Sequence, residues 1–243
     1  MFALYLKEIK SFFSSVIGYV IVGVFLLLSG LFLWVFNMPT NVLTNGHASL
    51  QGFFDIAPWL FLFLIPALTM RSIAEERKSG TMELLLTQPL SDTQIITAKF
   101  LACETLLLIT LLPTLIYVWT VAQLSEGPVG LDFGATWCSY LGLFLLGTIF
   151  VAIGLFASSI TKNQIVAFIL GAFFCFIMHF GFNFIYDLDI IGNAGYIVKK
   201  IGIEHHYNTI SLGVIDSRDI IYYLTVSFLF LLGSRISLLS RKW

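Results

Sequence analysis

The sequence predicts an all-α integral membrane protein, with six transmembrane helices following an N-terminal amphipathic helix that lies in the membrane interface. Three observations carry this. Of the 243 residues, 58 % are apolar and only 11 % are charged, whereas a soluble domain carries about a quarter charged residues. A soluble core of this length has no room for so much Phe, Leu and Ile. Apolar runs also recur six times, each near the about 20 residues that cross a hydrocarbon layer about 30 Å thick.

Residues 1–15 form the interfacial element. Phe2, Tyr5, Leu6, Ile9, Phe12 and Phe13 recur at helical spacing, and Lys7, Lys10 and Ser14 lie opposite. A short helix of this kind lies flat among headgroups, as an anchor or as the frame of a docking surface. Residues 16–36 form the first span, without a charge. A cleaved signal peptide would have an apolar core of about 7–15 residues and a small-residue cleavage site. This run is longer, and "NMPTN" after it is no such site. The second span covers 56–74, with Pro66 expected to kink it. The third covers 100–122 and carries Pro113; the fourth, fifth and sixth cover 136–160, 165–186 and 220–239. The outer segment 187–219 is mixed and glycine-containing, a candidate for short interfacial or re-entrant helices.

Six spans put both termini on one side. Ten of the thirteen basic residues fall on that side, and only Lys199, Lys200 and Arg218 on the other. By the positive-inside rule the termini are cytoplasmic. Many acidic residues, Glu126 and Asp189 among them, lie on the outer side but weigh little in topology.

The segment 75–98 is then cytoplasmic. It reads as a helix broken at Gly80, a short amphipathic helix ending at Pro89, and a capping box at Ser91 and Gln94 that opens the third span. Leu84, Leu85 and Leu86 can bury against protein or the membrane surface, while Glu75, Glu76, Arg77 and Lys78 are expected to stay wet. Connectors usually need about 4–6 residues, so an ordered segment of this length points to a moving or partner-binding part.

"EERKSGTMELLLTQP" resembles the cytoplasmic signature of ABC-2 type transporter permeases, through Glu75, Glu76, Arg77, Gly80, Thr81, Glu83, Leu84, Leu85 and Pro89. "EIKSFFSSVIGYVIVGVFLLLSGLFLWVF", "APWLFLFLIPALTMRS", "LLPTLIYVWT" and "NQIVAFI" are most similar to the gliding-motility-associated permease subunit of Bacteroidota, the GldF type. The resemblance implies an ABC-2 permease-like fold in the bacterial inner membrane. It implies a separate cytoplasmic ABC ATPase in two copies, which contacts the nine residues above, and a second permease subunit that is a different, larger chain. ATP and Mg would be bound by the ATPase. This chain has no Gly-Lys pair, hence no P-loop, and no segment long enough for a nucleotide domain.

Several other residues are candidates for chemistry. Glu104, near the inner end of the third span, is a candidate intramembrane site, or it lies shallow enough to reach water or a basic partner. His179 and Asn183 are one turn apart, either packing or lining a path. Gly147, Gly154 and Ser158 form a small-residue face suited to close helix packing. His205 and His206 have no matched carboxylate or cysteine spacing, so no metal site is expected. Cys103, Cys138 and Cys175 fall in apolar runs. A net charge of −1 and the lack of a nucleic-acid motif exclude a nucleic-acid-wrapping protein. The alternatives are a membrane scaffold of a motility or secretion machine, an ion-coupled carrier, and a membrane enzyme. A carrier needs several mid-membrane ionisable groups where only Glu104 and His179 qualify. The spans offer no convincing nucleophile–base set for an enzyme.

Overall fold

The computed structural model describes residues 1–44, 48–86, 89–125, 130–188 and 195–239, with only the backbone of Leu84, Leu86, Tyr196 and Ile197. Glu126, Asp189, Arg241 and Lys242 lie outside these. Among the described residues the chain is helical without strands. Six helical stretches are long and apolar enough to cross a membrane: Val16–Val35, Gln51–Ser79, Asp92–Leu124, Phe133–Ile160, Gln164–Asp187 and Ser217–Leu239.

The chain opens with α1 (Phe2–Ser14), which Ser15 separates from α2 (Val16–Gly30) by leaving helical geometry and accepting a hydrogen bond from the Ile17 N–H. A π-helical turn, Leu31–Val35, completes the first span. The second, α3 (Gln51–Ser79), is one helix of 29 residues through both Pro58 and Pro66. It runs further at both ends than the apolar run 56–74: Phe53 and Phe54 are buried in the core before that run, and Arg77 is buried after it. Gly80, at φ 74, ends it in the left-handed conformation that glycine adopts without strain.

After the short α4 (Thr81–Leu86), the Ser91–Gln94 capping box opens α5 (Asp92–Leu111) with reciprocal bonds of 3.3 and 3.0 Å. Pro113 tightens Leu112–Thr114 into a 3-10 turn before α6 (Leu115–Leu124). Asp132 caps α7 (Phe133–Ile160) and Asn163 caps α8 (Gln164–Phe176). A π-turn, Ile177–Gly181, joins α8 to α9 (Phe182–Asp187). Then follow α10 (Gly195–Ile201), α11 (Ile203–Ser211) and α12 (Ser217–Leu239).

The bundle is built around α7, 83 % of whose apolar window is buried, against 17 % for α12 and 22 % for the fifth span. Small residues on α7 let its neighbours approach. A Cβ on Gly154 would stand 2.0 Å from the Thr69 Oγ1 of α3, and one on Gly147 2.4 Å from Leu107 of α5. Ser158 Oγ accepts from the Ile73 and Ala74 N–H groups and donates to the Met70 carbonyl, stitching α7 to the backbone of α3. The small-residue face of α7 therefore packs inside this chain.

The main core lies between these helices, with Phe25, Phe53, Phe54, Phe61 and Phe150 fully or nearly fully buried. Gly233 of α12 meets Phe156, and the Ser237 hydroxyl donates to the Ser159 carbonyl. Helices α7 and α12 thus run in the same direction and end nearly level. With five fewer residues, α12 starts about 8 Å short of the beginning of α7. Helix α11 fills that gap, Ile210 lying on Gly142 and Ser211 accepting from the Ser139 hydroxyl.

Candidate functional site

The corner from the end of α3 through α4 to the start of α5 is where the signature residues fall. Its structure starts from amphipathic spacing. Met82 is buried with Ile73, Ile96 and Leu238, and half-buried Leu85 packs both on that cluster and on Leu4, Ile95 and Ala98. The apolar side of α4 is thus already occupied by α1, α3, α5 and α12, while the Leu84 side chain lies outside the described residues. Outward face Glu75, Lys78, Gly80, Thr81, Glu83 and Pro89, all exposed. Thr81 Oγ1 shares a 2.8 Å hydrogen bond with Ser79 Oγ, and the Glu83 N–H donates to the Gly80 carbonyl.

Two residues expected to stay wet do not. Arg77 is 7 % exposed, donating from Nη2 to the Ser237 carbonyl at 3.4 Å. Its position on α3 points it at the end of α12, a contact that sequence spacing cannot show. Glu76 turns inward for a different reason. Lys99, 1 % exposed at the start of the third span, holds Glu8 Oε1 at 2.9 Å, Glu76 Oε2 at 2.8 Å and the Ser72 carbonyl at 2.7 Å. The Lys99–Glu76 contact is an ion pair. Lys7 reaches the other Glu76 oxygen at 3.3 Å, and Arg71 lies 3.6 Å from Glu75.

This network changes the picture of α1. Instead of two faces it has three. Leu4 and Glu8 are buried against the bundle, and Tyr5 shares a 2.9 Å hydrogen bond with Thr105. Phe2 and Leu6 are exposed on the apolar side, and Lys7, Lys10, Ser11 and Ser14 are exposed on the polar side. A buried ammonium is tolerated only when neighbouring oxygens satisfy it, and Glu8 and Glu76 do so from two other helices. The network closes the base of the corner, because Glu76 lies before it in sequence and Lys99 after it. Sequence reasoning used Lys99 only as a flanking charge. The signal that could have exposed it is a lysine inside the first turns of a span, paired with a lone glutamate in an apolar helix.

The intramembrane candidates are not brought together. The Glu104 carboxyl, 7 % exposed, accepts from the Thr148 hydroxyl of α7 at 3.2 Å. His179 is 2 % exposed among Phe150, Phe180 and Tyr207. Asn183 lies near Glu204 instead; burial pushes that carboxyl above the usual carboxylate range, against the pull of Asn183 and the nearby Lys199. On the opposite face His206 pins three helices. Its Nδ1 is 2.6 Å from Asp219, its Nε2 is 2.9 Å from the Lys200 carbonyl, and its ring stacks on Tyr222. Among the described residues no group of three or more His, Cys, Asp or Glu could hold a metal ion.

No curated protein matches the chain. The family model described as "ABC-2 family transporter protein" matches residues 3–233, nearly the whole length, and that match covers the first five membrane helices, most of the sixth and the corner. A multi-pass helical bundle with this match is a permease subunit of the ABC-2 transporter family, to which the chain belongs.

Proposed function

We propose that this permease is moved by a separate ABC ATPase that docks on the α3–α5 corner. Family membership implies association with such an ATPase. One observation supports the corner as the place: its apolar side is filled from within, its polar side is free, and Lys99 ties its two ends and α1 together. A push on α4 would then reach α1, α3 and α5 as one body, since a buried, satisfied ion cluster resists separation. ATP and Mg would be held by two copies of the partner. The positive-inside count supports a cytoplasmic corner, cytoplasmic termini and an inner-membrane location. The resemblance to gliding-motility permeases supports export in that context beside a second, larger permease.

The test is to co-express the chain with the ATPase and permease encoded beside it and to measure co-purification and ATP hydrolysis. Glu83→Ala and Lys78→Ala alter exposed side chains, so folding should persist. Each should weaken co-purification. A fully coupled assembly carrying both changes would sink the proposal. A complex that binds the ATPase but never couples hydrolysis to export would favour the scaffold reading.

A further inference from the structure

We propose that a cavity between α1 and the end of α3 binds the headgroup of a zwitterionic phospholipid bearing a primary amine. The proposal needs only that the chain sits in a bilayer and does not rest on the ATPase reading. The cavity measures about 370 Å³. It lies at the boundary between the first spans and water: Ser15 begins the first span, and Arg71 follows the apolar stretch of α3 directly. Phe12, Ile17 and Leu68 line it as well, giving it an apolar part where a glycerol backbone and the first carbons of acyl chains can rest. Just past Ile17, Val16 and Tyr19 are 76 % and 61 % exposed, a surface that only lipid or another membrane helix would cover.

The polar part carries both signs of charge. Arg71 and Lys7 line it together with Glu75 and Glu76, and so do Ser11 and Ser15. Arg71 is loosely held. Its Nη1 is 3.5 Å from Ser15 Oγ, and its buried Nε finds no hydrogen bond, lying 3.6 Å from Glu75. A guanidinium with unused donors suits the two oxygens of a phosphodiester.

The charge balance selects among lipids. Lys99 answers Glu8 and Glu76 from behind the cavity wall, so the lining cations and carboxylates cancel once Lys99 is included. A purely anionic headgroup would meet Glu75 with no cation to spare. A phosphate linked to an ammonium places opposite charges against Arg71 and Glu75 together. A trimethylated amine has no N–H to donate to Glu75, so the primary amine is preferred.

The experiment is native mass spectrometry of the purified full chain, released from micelles holding phosphatidylethanolamine, phosphatidylcholine and phosphatidylglycerol in equal amounts. Phosphatidylethanolamine should be retained preferentially. Arg71→Lys, which keeps the charge but loses the fork, and Glu75→Gln should each reduce its retention about tenfold, the equivalent of one charge-assisted hydrogen bond. Thermal unfolding of both variants should stay near the parent's, which separates lost binding from lost folding. Soluble glycerophosphoethanolamine, used as competitor, should fail to displace the lipid; displacement at equal concentration would show that the membrane is not the source of the ligand. Equal retention of all three lipids, or retention unchanged in both variants, would overturn the proposal and leave a water-filled cavity.

Discussion

Replacing Lys99 by methionine is the sharpest perturbation of the corner. Methionine matches the volume of the stem but removes the ammonium. Glu8 and Glu76 would then face each other across a site that holds the lysine side chain at 0 % exposure. Their oxygens lie 2.9 and 2.8 Å from the nitrogen, so they are no further apart than the sum of those distances. At that separation and an effective dielectric constant of about 20, two carboxylates repel by about 3 kcal/mol. Loss of the bond to the Ser72 carbonyl adds to this, and breaking buried ion clusters from one side costs about 3–5 kcal/mol. For a domain of this size each kcal/mol shifts Tm by about 2–4 °C, so Lys99→Met should lower it by about 10 °C in detergent. The control is Lys99→Met combined with Glu8→Gln and Glu76→Gln, where only the exposed Lys7 keeps a charge and most of the loss should return. Fluorescence-monitored unfolding of the three proteins decides it. If Lys99→Met melts within about 2 °C of the parent, or the triple variant is no better than the single one, the network does not hold the corner.

Three further expectations follow from the bundle. Gly154→Ala should cost about 1–3 kcal/mol, because its methyl would meet Thr69 Oγ1 at 2.0 Å, while Gly23→Ala, with nothing within 4 Å, should be neutral or slightly stabilising; equal melting temperatures would refute the packing account. Ser158→Ala should cost about 1–3 kcal/mol, since two N–H groups and a carbonyl of α3 lose a partner, measured by the same unfolding assay. His206→Phe keeps a ring on Tyr222 but removes the contacts with Asp219 and the Lys200 carbonyl. Hydrogen exchange in α10, α11 and the first turn of α12 should then accelerate about tenfold, and unchanged protection there would remove the pinning role.

What the sequence determined by itself is local. Crossing a bilayer requires length and apolarity within one contiguous segment, so the six-span, all-helical class was legible from composition and runs. The caps at Ser91 and the break at Gly80 were legible because a capping box and a left-handed glycine are decided by three or four neighbouring residues. The small residues of α7 announced close packing, though only the folded bundle shows that α3 and α5 are what they meet.

The tertiary structure alone decided which charges are buried. Glu8, Glu76 and Lys99 are far apart in the chain, and their desolvation is tolerated only because three helices bring them within 2.9 Å. Helical periodicity assigned α1 two faces because it counts water and apolar surroundings only; the third face, Leu4 and Glu8, exists because α5 and α3 are there. Arg77 looked wet beside Lys78 for the same reason, since its cover comes from α12, at the far end of the chain. Hydropathy reads the solvent a segment needs, whereas long-range electrostatic partners are chosen by how the helices pack.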